Sequence, residues 1–328
     1  VERGLTSQHR RAAARRARGR RAWLRRVWTH RWSYVYIAPM LLLFAAFTVY
    51  PIFASLGYTL YDWNGIGDPV RYVGLDNFRQ VVHSWIFWTA FLHTVVYAAV
   101  LVPIQLTLAL ALALVLNDPR LRFSTFYRTV YFLPTVTSAA IVGVMFQLII
   151  SNFGGSVDAL LVRVGLLRQH IDFLADPRTV LWIVIGIGIW HTLGYNLVYF
   201  LAGLQTIPRE LYEAARIDGA HALGRFLHVT VPMLRAIGVV ILFLAILGSL
   251  QVFDLVQALT GGGPFYASEV VNTYIYHQAF GAGQSTPPNV GFASAASFFY
   301  GTALLVLTGM QAVALAYFRR RRRQEGVR

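Results

Sequence analysis

Six stretches of this chain are long and apolar enough to cross the hydrocarbon core of a bilayer, and that fact decides what it can fold into. A core of roughly 30 Å takes about 20 helical residues per crossing. Runs of that length fall at Ser33 to Tyr58, Thr89 to Leu116, Thr129 to Ile150, Thr179 to Leu204, Ile237 to Leu259 and Phe292 to Phe318. Lipid offers the backbone no hydrogen-bond partners, so spans of this kind are helices rather than open strands. The expected fold class is therefore all-α: a polytopic membrane protein with six transmembrane helices. Hydrophobic residues make up 56% of the chain and charged ones 13%, a balance that excludes an ordinary soluble domain.

Orientation follows from the arginines, because basic residues near the ends of spans stay in the cytoplasm. They cluster in the N-terminal tail from Arg3 to Arg31, around Arg120, Arg122 and Arg128, around Arg209, Arg216, Arg225 and Arg235, and from Arg319 onward. In the alternate loops, Arg71, Arg79, Arg163, Arg168 and Arg178 are outweighed by acids such as Asp62, Asp68, Asp76, Asp158, Asp172, Asp176 and Glu269. Both termini are expected in the cytoplasm. The organisation expected is a basic tail over 1–32, a first span over 33–58, an external loop with an interfacial helix over 59–88, a five-helix transport core over 89–318, and a second basic tail over 319–328. The first apolar run is too long for the usual core of a cleaved signal peptide, which spans roughly 7–15 residues, and is read as a retained helix.

Every one of the 29 basic residues is arginine, and cysteine is absent. Without lysine the chain lacks the Walker-type phosphate loop and any Schiff-base chemistry. Without cysteine it has neither disulfides nor thiolate metal ligands. No catalytic residue, metal site or cofactor of its own is expected. The arginine pairs from Arg10 to Arg26 and the run Arg319 to Arg323 suggest nucleic-acid binding only superficially. Each abuts a span, where it fixes topology and attracts anionic lipid at about 1 kcal/mol per charge. Membrane lipid, not nucleic acid, is the expected contact.

The loop Gln205 to Arg235 reads as two short helices. Thr206 is placed to cap the first, with Pro208 in its opening turn. Leu211, Ala214, Ala215 and Asp218 recur at helical spacing, leaving a flat patch beside Glu213 where another protein can approach closely. Gly219 permits the left-handed backbone that ends a helix, and Asp218 is placed to cap the next one. The second helix, around Leu223 to Val229, is expected to run to Pro232, which would separate it from the fifth span.

Here a resemblance becomes specific. Glu213-Ala214-Ala215, three residues, Gly219, nine residues, Val229, one residue, Val231-Pro232 resembles the cytoplasmic signature of ABC-importer permeases. The extended form, with Asp218-Gly219-Ala220 and Phe226, resembles the carbohydrate-uptake branch, the maltose, glycerol-3-phosphate and lactose class. Val73-Gly74-Leu75-Asp76-Asn77-Phe78 resembles the short helix before that family's core. Arg128-Thr129 with Phe132-Leu133-Pro134 resembles the entry to its third span. Leu259-Thr260-Gly261-Gly262-Gly263-Pro264 resembles the turn leaving its fifth.

The resemblance implies a permease subunit of a binding-protein-dependent importer in a bacterial or archaeal cytoplasmic membrane. Its partners would be a second homologous permease, an ABC ATPase dimer that binds ATP-Mg, and an extracytoplasmic solute-binding protein. Glu213, Ala214, Ala215, Asp218, Gly219, Ala220 and Pro232 would couple it to the ATPase. Polar side chains within spans usually face a cavity, which nominates Trp190, His191, Tyr195 and Asn196 in the fourth span, Ser249, Gln251 and Asp254 in the fifth, and Ser294 and Ser297 in the sixth. The family's sugar site best matches Tyr195, Asn196, Ser249 and Gln251. Aromatic faces with amides and hydroxyls suit a carbohydrate.

Three alternatives compete. An ion-coupled secondary transporter would show buried acids and an internal repeat; the sequence offers only Asp254, read as peripheral, and no convincing repeat. A membrane enzyme would cluster acids or histidines in one interfacial loop, and no loop provides them. A permease for another solute, such as glycerol-3-phosphate, would want a cationic pocket, and no arginine lies within a span. His191 reads as a helix-packing group. Pro103 and Pro134 are expected to kink the second and third spans.

Overall fold

The computed structural model describes residues 31–69, 71–118, 120–164, 172–281 and 287–325. The arginine pairs of the N-terminal tail lie outside them. Five helices are each long and apolar enough to cross a membrane, and a bent pair supplies a sixth when taken as one span. The chain forms two units, Val1–Tyr58 and Thr59–Arg328.

The first unit holds α1, built from Arg31–Phe44 and Tyr50–Tyr58 joined by a π turn at Ala45–Val49. Pro51 explains the turn. A proline has no N–H and its ring collides with the carbonyl four residues earlier. The wider π turn, closed here from Tyr50 N–H to Ala45 O, absorbs the fault without breaking the helix.

The second unit begins with a two-residue hairpin, β1 (Tyr61–Asp62) against β2 (Arg71–Tyr72), which pairs Asp62 with Arg71. Helix α2 (Asp76–His83) follows, with the buried Asn77 amide donating to Thr59 O at 2.8 Å and Tyr61 O at 2.9 Å. Asp76 in its first turn and His83 in its last both suit the helix dipole. Then come α3 (Trp85–Leu116), α4 (Ser124–Val136), α5 (Ala139–Arg163), α6 (Val180–Gln205), α7 (Arg209–Ile217), α8 (Ala222–Arg225), a π turn (Phe226–Thr230), α9 (Val231–Leu250), α10 (Asp254–Leu259), α11 (Val271–Phe280) and α12 (Val290–Glu325). Pro103 lies inside α3, which runs on through it.

Three apolar layers stack along the bundle. Val81, Phe87, Val271 and Phe292 form one end. Tyr97, Leu101, Val184, Ala245 and Val256 form the middle. Ala113, Leu197, Leu204 and Leu234 form the other end. Helices α3 and α6 pass from the middle layer to the third in the same direction, and α9 returns.

Two spans differ from the sequence expectation. The third is not one helix: α4 and α5 meet at 92°, because Thr137 is extended at φ −73° and ψ 142°. The fifth ends at Leu250 and restarts at Asp254, with Phe253 at φ −147° and ψ −66°. A broken helix inside a membrane leaves carbonyls that need partners. Side chains from other helices supply them: Tyr300 Oη donates to Leu250 O at 2.5 Å, and Asn272 Nδ2 to Val252 O at 3.2 Å.

Candidate functional site

Both breaks border a cavity of about 450 Å³ between α3, α6 and α9. At the first break His191 Nε2 lies 3.0 Å from Thr137 O, and Thr135 Oγ1 donates to His191 O at 2.8 Å. A carbonyl only accepts, so His191 carries its proton on Nε2. The histidine is thus a clip between α4 and α6, as its packing role in the sequence suggests. Gly194 makes the clip possible: a Cβ there would stand 2.5 Å from Thr135 Oγ1 and 2.6 Å from Tyr131 O.

Of the nominated substrate residues, Tyr195, Asn196, Ser249 and Gln251 all line this cavity, as do His191 and Asp254. Trp190 packs edge-on against Phe146 with ring centroids 5.5 Å apart, away from the lining. Ser294 and Ser297 lie on α12, also outside it, and Ser297 Oγ donates back to Ala293 O. Sequence reasoning missed Tyr97, Gln105, Thr192 and Tyr199 on the same wall. Gln105 is nearly fully buried in a span that reads as predominantly apolar. A buried amide needs partners, and that was the available signal.

The hydrogen bonds within the wall decide what it offers a solute. The Thr192 hydroxyl shares its single proton between Gly188 O at 2.7 Å and Gln105 Oε1 at 2.5 Å, and the Gln105 amide nitrogen has no partner among the described residues. Asn196 Nδ2 donates weakly to Thr192 O at 3.4 Å, leaving Oδ1 as an acceptor. Ser249 Oγ donates to Ile246 O at 2.9 Å and retains its lone pairs. Donors and acceptors alternating with tyrosine rings match a polyhydroxylated ligand.

The second candidate surface is the 205–235 loop. Thr206 does not cap α7: it closes α6, its hydroxyl donating to Gly203 O at 2.7 Å, and Pro208 takes the N-cap place instead. Helix α7 ends in paired bonds, Ala220 N to Ala215 O at 2.8 Å and Gly219 N to Arg216 O at 3.1 Å, with Gly219 at φ +79°. This double closure is the Schellman arrangement that a left-handed residue allows. Asp218 makes no cap for α8, whose N-cap His221 also lacks a side-chain bond. Pro232 does not separate the second helix from the fifth span. Helix runs unbroken from Ala222 to Leu250, and the π turn at Phe226–Thr230 accommodates the proline as the one before Pro51 does in α1.

Glu213 and Ala214 are exposed, with Ala215 half-buried. Ile217 and Leu223 extend an apolar exposed surface around them. Tyr212 turns inward, where its hydroxyl meets Thr230 Oγ1 at 3.0 Å.

The sequence offered Asp254 alone as a candidate buried acid, but Glu269, counted among the acids of an external loop, is buried to 2% exposure and pairs with His277 Nδ1 at 3.1 Å. His93 Nδ1 lies 3.1 Å from its carbonyl. The Thr260–Ser268 turn folds over it, with Gly262 at φ +80° lying against the carboxylate. A buried acid pairs or neutralises, and here the partner lies eight residues along the chain.

Five helices able to cross a membrane, a bent pair that supplies a sixth, and helix breaks beside a cavity with polar groups on its wall characterise a polytopic subunit with the type I permease fold of ABC importers. The chain belongs to the family of binding-protein-dependent transport system inner membrane components, which matches residues 105–324. It is 35% identical over 276 residues to the probable ABC transporter permease protein YurN of Bacillus subtilis (strain 168), covering 84% of this chain and 91% of that one. It is 35% identical over 281 residues to the lactose transport system permease protein LacF of Rhizobium radiobacter, covering 85% and 92%. In fold it is similar to a chain of a bacterial ABC transporter involved in the import of the acidic polysaccharide alginate. The TM-score is 0.75 at 23% identity, over 90% of this chain and 99% of that chain.

Proposed function

We propose that this chain is one permease of an ATP-driven sugar importer, forming the solute path with a second permease. The observation that carries the reading is the continuous helix Ala222–Leu250. It begins at the exposed loop bearing Glu213, Ala214, Ala215, Asp218, Gly219 and Ala220. It ends at Ser249 on the cavity wall. A rigid element joining the two surfaces transmits motion from a docked ATPase dimer, which holds ATP-Mg, to the solute. The short helix α7 is suited to docking because its exposed face is small and flat.

The arginine distribution supports cytoplasmic termini and a cytoplasmic 205–235 loop, and hence an external face that receives the solute-binding protein. The cavity wall supports a neutral sugar over glycerol-3-phosphate, since no arginine among the described residues lines it. LacF is named for lactose, and that similarity supports the same solute class here. Tyr195, Asn196, Ser249 and Gln251 are the proposed contacts, joined by Gln105.

Sugar-stimulated ATP hydrolysis by the assembled transporter in liposomes tests this. The expected result is stimulation by the binding protein with its sugar, lost in Gly219→Pro although the complex still inserts. Full stimulation in that variant would contradict the coupling role.

A further inference from the structure

The cavity wall carries charge of one sign only. Among the described residues, Asp254 is its single formally charged one. That carboxylate is exposed and has no hydrogen-bond or ion-pair partner among the described residues. It stands at the first position of α10, immediately after the break at Gln251–Phe253. The remaining titratable groups on the wall are three tyrosines and His191, whose Nε2 is committed to Thr137 O. An acid at a helix start is commonly a local stabiliser, but α10 is six residues long and its acid opens onto the cavity. Low-dielectric walls focus the field of such a charge across the space they enclose.

From this we infer that Asp254 is a charge filter. It admits neutral and positively charged solutes, amino sugars included, and turns away anionic ones such as uronates and sugar phosphates. The inference rests on the cavity being the solute path. It also separates this chain from the alginate importer that shares its fold, whose named cargo is acidic: the wall here has the polarity that repels such a cargo.

The chain contains no cysteine, so a single introduced thiol reports on the cavity directly. Gly248 lines the wall, and a Cβ built there meets nothing within 4 Å. In membranes holding the assembled transporter, Gly248→Cys is labelled with a cationic and an anionic methanethiosulfonate, and each rate is divided by that for a free thiol. The filter predicts a cation-to-anion rate ratio of about tenfold or more, falling toward unity in Gly248→Cys/Asp254→Asn and at high salt. Ser249→Cys serves as a second reporter on the same wall. Labelling by both reagents at a ratio that Asp254→Asn leaves unchanged overturns the filter while leaving the path intact. If neither reporter labels, although the unfolded chain labels fully, the cavity is not a solute path and the filter falls with it.

Discussion

The hydroxyl of Tyr212 meets that of Thr230 at 3.0 Å, tying the exposed helix α7 to the π turn at the base of the fifth span. The bond links the two ends of the polar segment across its bend. Tyr212→Phe and Thr230→Val are each expected to cost about 1 kcal/mol. The double variant should cost less than the sum, because both changes remove one interaction. Thermal unfolding in detergent measures the cycle. The same variants should lower sugar uptake per ATP hydrolysed, since α7 loses its tie to the helix it is proposed to drive.

The close approach of α4 to α6 predicts a contrast between two glycines of one helix. Gly194→Ala pushes a Cβ into Tyr131 O and Thr135 Oγ1, backbone and hydroxyl that have little room to move, and is expected to destabilise by roughly 1–3 kcal/mol. Gly186→Ala meets nothing within 4 Å and should be neutral or stabilising, by up to about 1 kcal/mol. Tryptophan fluorescence on heating separates the two. Equal effects would remove the clip from the account.

Gly262 has no such latitude. Its φ of +80° disfavours any side chain, and a Cβ there would overlap the Glu269 carboxylate. Gly262→Ala should cost roughly 2 kcal/mol or more from the two effects together. Glu269→Gln should cost less, because the amide keeps the shape and still accepts a hydrogen bond. Protease sensitivity of the Thr260–Ser268 turn reports both, and Gly262→Ala should be cleaved first.

Gln105 adds an amide to those of Asn196 and Gln251 on the same wall. Gln105→Leu and Asn196→Ala are each expected to raise the sugar concentration for half-maximal uptake by about tenfold, the loss of one or two solute hydrogen bonds at about 1 kcal/mol each. Uptake of labelled sugar into cells measures this. Trp190→Phe, off the cavity wall, should leave it within twofold.

Much of this was legible in the chain. Apolar length marks some spans closely, and α6, expected over Thr179 to Leu204, runs Val180–Gln205, whereas the fifth, expected over Ile237 to Leu259, runs Ala222–Leu250. Gly219 was identifiable because only a left-handed residue closes α7 as observed. The helix breaks were not legible, because they depend on partners distant in sequence. Thr137 O is satisfied by His191, and Leu250 O by Tyr300. Pro232 misled for a related reason: a proline predicts a fault in the α-helical ladder, not whether a π turn will absorb it. Glu269 misled because a charge count gives the sign of a loop but not the burial of one member.

The central claim is that the loop bearing Glu213 docks an ATPase. Affinity purification of the tagged chain from its native membrane in mild detergent, with mass spectrometry of what accompanies it, tests that claim most directly. The account predicts that an ATPase and a second permease co-purify with the wild-type chain. In Glu213→Arg the second permease should remain while the ATPase is largely lost. A wild-type chain recovered alone or only with itself would contradict the account, as would an undiminished ATPase yield with Glu213→Arg.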